Sequence, residues 1–350
     1  MCSNGCVKIS EETRWSAVVR WLQPQTQKLP RQWNTITSND IKRAEYPFKT
    51  REEAGQWLLD GPSFQDWVEP NSSTKVLWLY GDAGYGKSVL CERAILALQK
   101  ALKASSGRYV QAAHYFYDYS DEPESPVTVY RSLANSLFRQ RYHPGDEVSD
   151  RIYSFVSAPD CLDMMEFIRA IVEELKTAYI FLDGLDEVLH HPAREQYAID
   201  TLRFCLSLTT EKNADVKVWC SSQDRLKIRQ TLKPFQYRSD LPLTDKENAT
   251  DISMFILDAA ERILGNDSTA EKKESLLKIV DTIKGNFLWA VFALDAIEDA
   301  CEAGQLDEFA QNLPSNFEGY LKKRIRCIKP DSYKIFRWVY SQPQVSPNTN

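Results

Sequence analysis

Residues Leu77 to Ile95 read LWLYGDAGYGKSVLCERAI. The apolar run Leu77–Tyr80 gives way to a segment holding Gly81, Gly84 and Gly86, after which Lys87 and Ser88 open a helix-like run. The octet Gly81-Asp82-Ala83-Gly84-Tyr85-Gly86-Lys87-Ser88 fits G-x-x-x-x-G-K-[ST] without a gap. In that pattern glycines let the chain wrap closely enough for backbone N–H groups to face phosphate oxygens, and the helix that follows adds its positive end. Lys87 is expected to reach the β- and γ-phosphates, Ser88 to ligate Mg²⁺, and Gly81 through Val89 to line the nucleotide. An ordinary turn would explain the glycines but not a lysine and a serine standing directly behind them. Tyr85 is bulky for such a loop, which main-chain donors tolerate.

Two further stretches belong with the octet. In AYIFLDGLDEV, the apolar residues Tyr179–Leu182 end in Asp183, as expected of a buried strand that delivers a carboxylate to a Mg²⁺ shell. Asp186 and Glu187 follow on a turn, where one of them is placed to orient or deprotonate the attacking water. In VKVWCSSQDR a second apolar strand ends in Ser221, Ser222 and Gln223, where a polar group can sense the γ-phosphate.

Around these stretches, apolar strand candidates at Lys75–Tyr80, Tyr109–Tyr117, Ala178–Asp183, Val216–Cys220 and Phe235–Leu241 alternate with helical patterns at Lys87–Leu102, Val127–Arg139, Leu162–Leu175 and Arg194–Leu208. Such alternation predicts parallel pairing through right-handed crossovers, hence an α/β three-layer sandwich of the P-loop NTPase type with its ligand beyond the carboxyl ends of the strands. Past Leu241 the pattern turns helical. Thr244–Glu247 and Ser268–Glu271 have capping-box spacing, and Ile252, Phe255, Ile256, Ala259 and Ile263 fall on one stripe. The expected organisation is an N-terminal helix (Glu11–Leu22) and arm over 1–50, a P-loop NTPase domain over 51–240, an α-helical domain over 241–329, and a tail or the start of a winged-helix region over 330–350.

The chain has 350 residues, 43% of them hydrophobic, and a formal charge of −6, an ordinary globular composition that argues against a surface built to track nucleic-acid phosphates. No apolar run approaches the roughly 18–20 residues needed to span a bilayer. The eight cysteines are scattered without metal spacing, which with the lack of a secretory start predicts reduced thiols and a cytoplasmic setting. His190 and His191 read as solvated loop residues and the tryptophans as packing.

With these residues in view, LWLYGDAGYGKSVL and IFLDGLDE resemble the NACHT family of signal-transduction (STAND) NTPases, in its fungal and nephrocystin-like branch. EAGQWLLDGPSFQDWV resembles the short helical segment before the nucleotide loop in that branch, and LTDKENATDISMFI, IKGNFLWAVFAL and LPSNFEGYLKKRI resemble its helical domain. The resemblance implies that Gly81, Gly84, Gly86, Lys87 and Ser88 bind nucleotide, that Asp183 holds Mg²⁺ through water, and that Asp186 or Glu187 serves hydrolysis. It also implies that the sensor strand lies between the phosphate-loop strand and the strand of Asp183. Where relatives carry Ser-Arg at the end of the sensor strand, this chain has Gln223, with Arg225 two residues on; a neutral amide offsets growing negative charge less than a guanidinium does, so turnover is expected to be slow. Where relatives carry a Gly-x-Pro turn against the base, this chain has GNFLWA, Gly285–Ala290.

The functional expectation is a cytoplasmic signalling switch of the kind used in innate immunity. It would hold ATP or ADP, or GTP, with Mg²⁺ between its α/β and helical domains. Protein partners are expected through the N-terminal arm or the helical domain, with nucleotide-dependent self-association, no nucleic acid and no membrane span. The competing expectation is an interaction scaffold that binds nucleotide structurally, with little or no turnover.

Overall fold

A computed structural model describes residues 13–22, 55–106, 112–117, 126–157, 161–189, 192–264, 269–283, 285–314 and 318–320. The arm at Gln23–Lys49, Cys2, Cys6, His190, His191, most of the expected helix at Phe317–Cys327 and the tail lie outside the described residues. The chain divides into two compact units, Met1–Asp251 and Ile252–Asn350.

In the first unit, helix α1 (Arg14–Leu22) and the short helices α2 (Gln56–Leu59) and α3 (Pro62–Val68) precede strand β1 (Val76–Tyr80). Next come α4 (Lys87–Ser106), β2 (Ala113–Phe116), α5 (Pro126–Arg141), α6 (Asp150–Tyr153), α7 (Cys161–Leu175) and β3 (Thr177–Asp183). The unit continues with α8 (Pro192–Leu208), β4 (Asp215–Ser222), α9 (Leu226–Leu232), β5 (Arg238–Pro242) and the first turns of α10 (Asp245–Leu264).

The strands form one five-stranded sheet in the order β2-β3-β4-β1-β5, every pair parallel. This is the predicted α/β three-layer sandwich, and the sensor strand β4 lies between the strands of Asp183 and of the phosphate loop, as the family resemblance implied.

Alternation along the strands builds the layers, because successive side chains leave opposite faces of the sheet. Val76, Trp78, Ile180, Leu182, Val216 and Val218 enter one core with α1, α5, α7 and α8. Leu77, Leu79, Tyr179, Phe181 and Trp219 enter the other with α2, α3 and α4. Both faces are covered, which is why the central strands read as continuous apolar runs. Trp67 of α3 is fully buried and meets Tyr179, Phe181 and Trp219 at ring-centroid distances of 5.8, 5.6 and 6.0 Å. The segment before the loop therefore serves as a lid on the sheet.

In the second unit, α10 continues from Ile252 and is followed by α11 (Ala270–Thr282), α12 (Phe287–Glu302) and α13 (Leu306–Gln311). Ile252, Phe255, Ile256 and Ala259 are buried as the stripe predicted. Of the second expected cap, Ser268 lies outside the described residues; Thr269 beside it accepts the N–H of Lys272, at 3.4 Å. Asn286 caps α12 through the N–H of Trp289 at 3.0 Å, so the Gly-x-Pro position of relatives is here a helix start. Among the described residues no helix is long and apolar enough to cross a membrane.

Candidate functional site

Parallel pairing gathers the expected site at the carboxyl ends of β1, β3 and β4. The pairing of Tyr80 with Ser222 sets the ends of β1 and β4 side by side, and the Gly81 N–H continues the ladder to the Ser222 carbonyl at 3.3 Å. The loop then turns through Gly84 and Gly86, whose φ values of 83° and 80° are left-handed and favour glycine. Asp82 and Ala83 are exposed at its tip, while Ser88 and Val89 open α4 and are also exposed. Lys87 folds back over the loop, its Nζ donating to the carbonyls of Gly81 at 2.9 Å and Asp82 at 2.8 Å. Burial pulls the Lys87 ammonium below its usual pKa, while the charges of Asp186, Asp183, Asp82 and Glu187 act in the opposite direction. A lysine placed among four acids and over a turn of glycines is an ammonium poised for further anionic oxygens.

Asp183 ends β3 almost wholly buried. Burial pushes its carboxyl up; hydrogen bonds from the hydroxyls of Ser221 and Ser88 and the charge of Lys87 hold it down, and Asp186 pushes it up again. Ser88 at the start of α4 and Asp183 at the end of β3 thus lie near enough for the hydroxyl to lower the carboxyl's pKa. A hydroxyl and a buried, incompletely compensated carboxylate are the hard oxygen donors that suit Mg²⁺. Ser221 in turn accepts from the Trp219 indole at 3.3 Å and donates to Asp183, which locks the carboxylate to the sensor strand.

The acidic turn depends on Gly184, which has φ 70° and whose missing Cβ would stand 2.8 Å from the Tyr117 carbonyl oxygen. Glu187 N–H closes the turn on the Gly184 carbonyl at 2.9 Å, and Leu185 N–H reaches the Ser221 carbonyl at 3.2 Å. Asp186 is buried and its Oδ1 accepts the backbone N–H of Gln223 at 2.8 Å. Glu187 is half-buried beside Gly184. The Gln223 side chain accepts a 2.8 Å bond from Arg225 Nη2, so the amide and the guanidinium that follows it form one unit at the end of β4.

Tyr85 has its role here. Its ring packs against the core that holds α4, its hydroxyl donates to Asp245 Oδ1 at 2.7 Å, and its carbonyl accepts from Asn248 Nδ2 at 2.7 Å. Burial first, then the bond to Asp245 and the charges of Asp245 and Asp82, raise the Tyr85 phenol well above its usual pKa. Sequence reading missed Asp245 and Asn248, and it named Ser221 only as part of the sensor-strand end, not as the partner of Asp183. Only the capping-box spacing of Thr244 and Glu247 hinted that a helix begins beside the loop, and that cap is formed, Thr244 N–H donating to Glu247 Oε2 at 2.9 Å.

No curated protein matches the chain. Among solved structures, the chain is similar to a chain of Drosophila ORC bound to DNA, with 15% identity and a TM-score of 0.40, over 87% of this chain and 65% of that one. It is also similar to Aeropyrum pernix ORC2 in its ADPNP-ADP complexes, with 16% identity and a TM-score of 0.44, over 83% and 69%. A third likeness is to Aeropyrum pernix ORC1 in complex with DNA, with 16% identity and a TM-score of 0.41, over 95% and 73%. Likenesses this distant do not say what this chain binds.

Two of those structures hold DNA, and the expectation that excluded nucleic acid from the partners is not kept. That exclusion rested on a charge of −6 summed over 350 residues, and such a sum does not describe any one face of a molecule. The family model described as nephrocystin 3, N-terminal, matches residues 53–223, from just before α2 to the end of β4. Those residues carry the phosphate loop, the acidic turn and the sensor strand, and over them this chain, with its P-loop NTPase fold, is similar to the nephrocystin-like branch.

Proposed function

We propose that the chain is a nucleotide-dependent switch of the NACHT/STAND type, which takes up ATP or ADP with Mg²⁺ on the loop Gly81–Val89 and hydrolyses the triphosphate slowly. The observation that carries this reading is the convergence of Lys87, Ser88 and Asp183 beyond the ends of β1 and β3, where the charge of Lys87 and the hydroxyl of Ser88 both act on the Asp183 carboxyl. Lys87 would contact the β- and γ-phosphates, and Ser88 and Asp183 would hold the cation. Mg²⁺, when bound, would offset the negative charge of the phosphate oxygens.

Slow turnover is favoured by what Asp186 and Gln223 are already doing. Asp186 is buried and committed to the Gln223 N–H. Glu187, half-buried on the same turn, is therefore the better candidate to orient water. Gln223 presents an amide where a full charge would stabilise the transition state more strongly. The same two features support the second reading, structural nucleotide binding without turnover.

Titration calorimetry with ATP, ADP and GTP, with and without Mg²⁺, on the wild type and Lys87→Ala tests the reading. Binding by the wild type that is lost in the variant supports it, and equal heats from the two proteins defeat the phosphate-loop assignment. Binding without phosphate release, unaltered in Glu187→Gln, supports the structural reading.

A further inference from the structure

Helix α10 grips the phosphate loop at one peptide, and this assigns a task to residues that no motif marks. Asn248 is fully buried, and its Nδ2 donates to the Tyr85 carbonyl at 2.7 Å. A carbonyl oxygen only accepts, so the amide must present its nitrogen to it. The Tyr85–Gly86 peptide is trans and planar, which directs its N–H opposite to its C=O. The Gly86 N–H therefore points away from α10, and the Gly86 carbonyl on the other side accepts from Leu90 N–H at 3.0 Å, in the first turn of α4.

That peptide needs a holder. Glycine accepts either sign of φ at little cost, and Gly84 and Gly86 both flank Tyr85, so rotation of the intervening peptides is cheap. A rotated Tyr85–Gly86 peptide would offer a carbonyl oxygen, the repulsive end of the dipole, to a phosphate. The Tyr85 hydroxyl bond to Asp245 anchors the same residue from its side chain, and Leu243 N–H fixes the approach to α10 by donating to the Tyr80 carbonyl at 2.7 Å. All of these residues lie in the first compact unit.

We propose that Asn248, with Asp245 as its companion, is a positioning residue for polyphosphate binding: by holding the Tyr85 carbonyl it keeps the Gly86 N–H turned to the phosphate. The inference rests on the nucleotide-binding reading above. An unheld loop is binding-competent for only part of the time, and apparent affinity falls by that fraction.

The test is titration of Mg·ADP and of Mg·pyrophosphate into the wild type, Asn248→Ala, Asn248→Asp and Tyr85→Phe, each shown by circular dichroism to be folded at the working temperature. Asn248→Ala is expected to weaken both ligands by about fivefold to tenfold, the worth of one buried hydrogen bond. Asn248→Asp keeps the shape but presents no donor, so it falls at least as far, whereas a packing role would leave it near the wild type. Tyr85→Phe is expected to lose about threefold. Asn248 variants that fold and bind within about twofold of the wild type overturn the inference. If they do not fold, Tyr85→Phe decides, and unchanged affinity overturns it. A wild-type chain that binds neither ligand refutes the phosphate-loop reading and this inference with it; wild-type binding with indifferent variants refutes the inference alone.

Discussion

Replacing Gly184 by alanine tests the geometry of the acidic turn with an internal control. Two separate costs are expected. The first is conformational: Gly184 has φ 70°, in the left-handed region, where a Cβ costs about 1–2 kcal/mol. The second is steric, because that Cβ would lie 2.8 Å from the Tyr117 carbonyl oxygen. The obstacle is backbone, and it is held, since the Tyr117 N–H donates to the Asp183 carbonyl at 2.9 Å; the contact therefore adds about 1–3 kcal/mol of overpacking. Gly145 separates the two costs, with φ 96° and nothing within 4 Å of its missing Cβ. Urea denaturation should place Gly145→Ala about 1–2 kcal/mol below the wild type and Gly184→Ala about 3 kcal/mol below it. Because Gly184 joins Asp183 to Asp186, Gly184→Ala should also weaken Mg·ADP binding, while Gly145→Ala leaves it alone. Equal losses of stability in the two variants would refute the argument that the Tyr117 carbonyl closes the space.

Three further outcomes are expected. Glu247→Ala removes the capping box with Thr244 and should cost about 1 kcal/mol at neutral pH. Burial pushes Glu247 up, but its bonds with Thr244 and backbone N–H groups bring it below the ordinary glutamate value of 4.5, so denaturation curves should show this difference shrinking as pH falls through the region under that value. Asp251 behaves oppositely: burial raises its pKa above 3.8 despite its bond from Gly55 N–H at 2.8 Å. The folded state then loses stability as pH rises from the unfolded value through the raised one, so Asp251→Asn should gain on the wild type as pH rises above 3.8; a gap independent of pH would contradict this. Trp67→Ala should cost about 3–5 kcal/mol in thermal or urea unfolding, since the indole fills the centre of one aromatic core; a loss under about 1 kcal/mol would show that α3 is not the lid described.

Much of this molecule was legible along the chain because its signals are local. The octet Gly81–Ser88 states its own geometry, since glycine spacing and a following helix are properties of consecutive residues. The apolar runs at Val76–Tyr80, Thr177–Asp183 and Asp215–Ser222 announce strands buried on both faces, and their alternation with helices dictates a parallel sheet. The cap at Thr269 shows where local reading loses precision: neighbouring hydroxyl residues satisfy much the same pattern, and only the helix start decides which of them is engaged.

What the chain alone determined is the inventory: a loop for phosphate, a carboxylate at a strand end, an acidic turn, and helices beyond. What the tertiary structure decided is which of these groups are already engaged. Asp186 meets Gln223 across 37 positions, Ser221 meets Asp183 across 38, and Asn248 meets Tyr85 across 163. No sequence pattern encodes such pairs, because they arise when parallel pairing brings the ends of separate strands together and sets a helix start beside a loop. A hydrogen bond depends on position and direction to within a fraction of an ångström, and those are fixed only when the sheet is assembled.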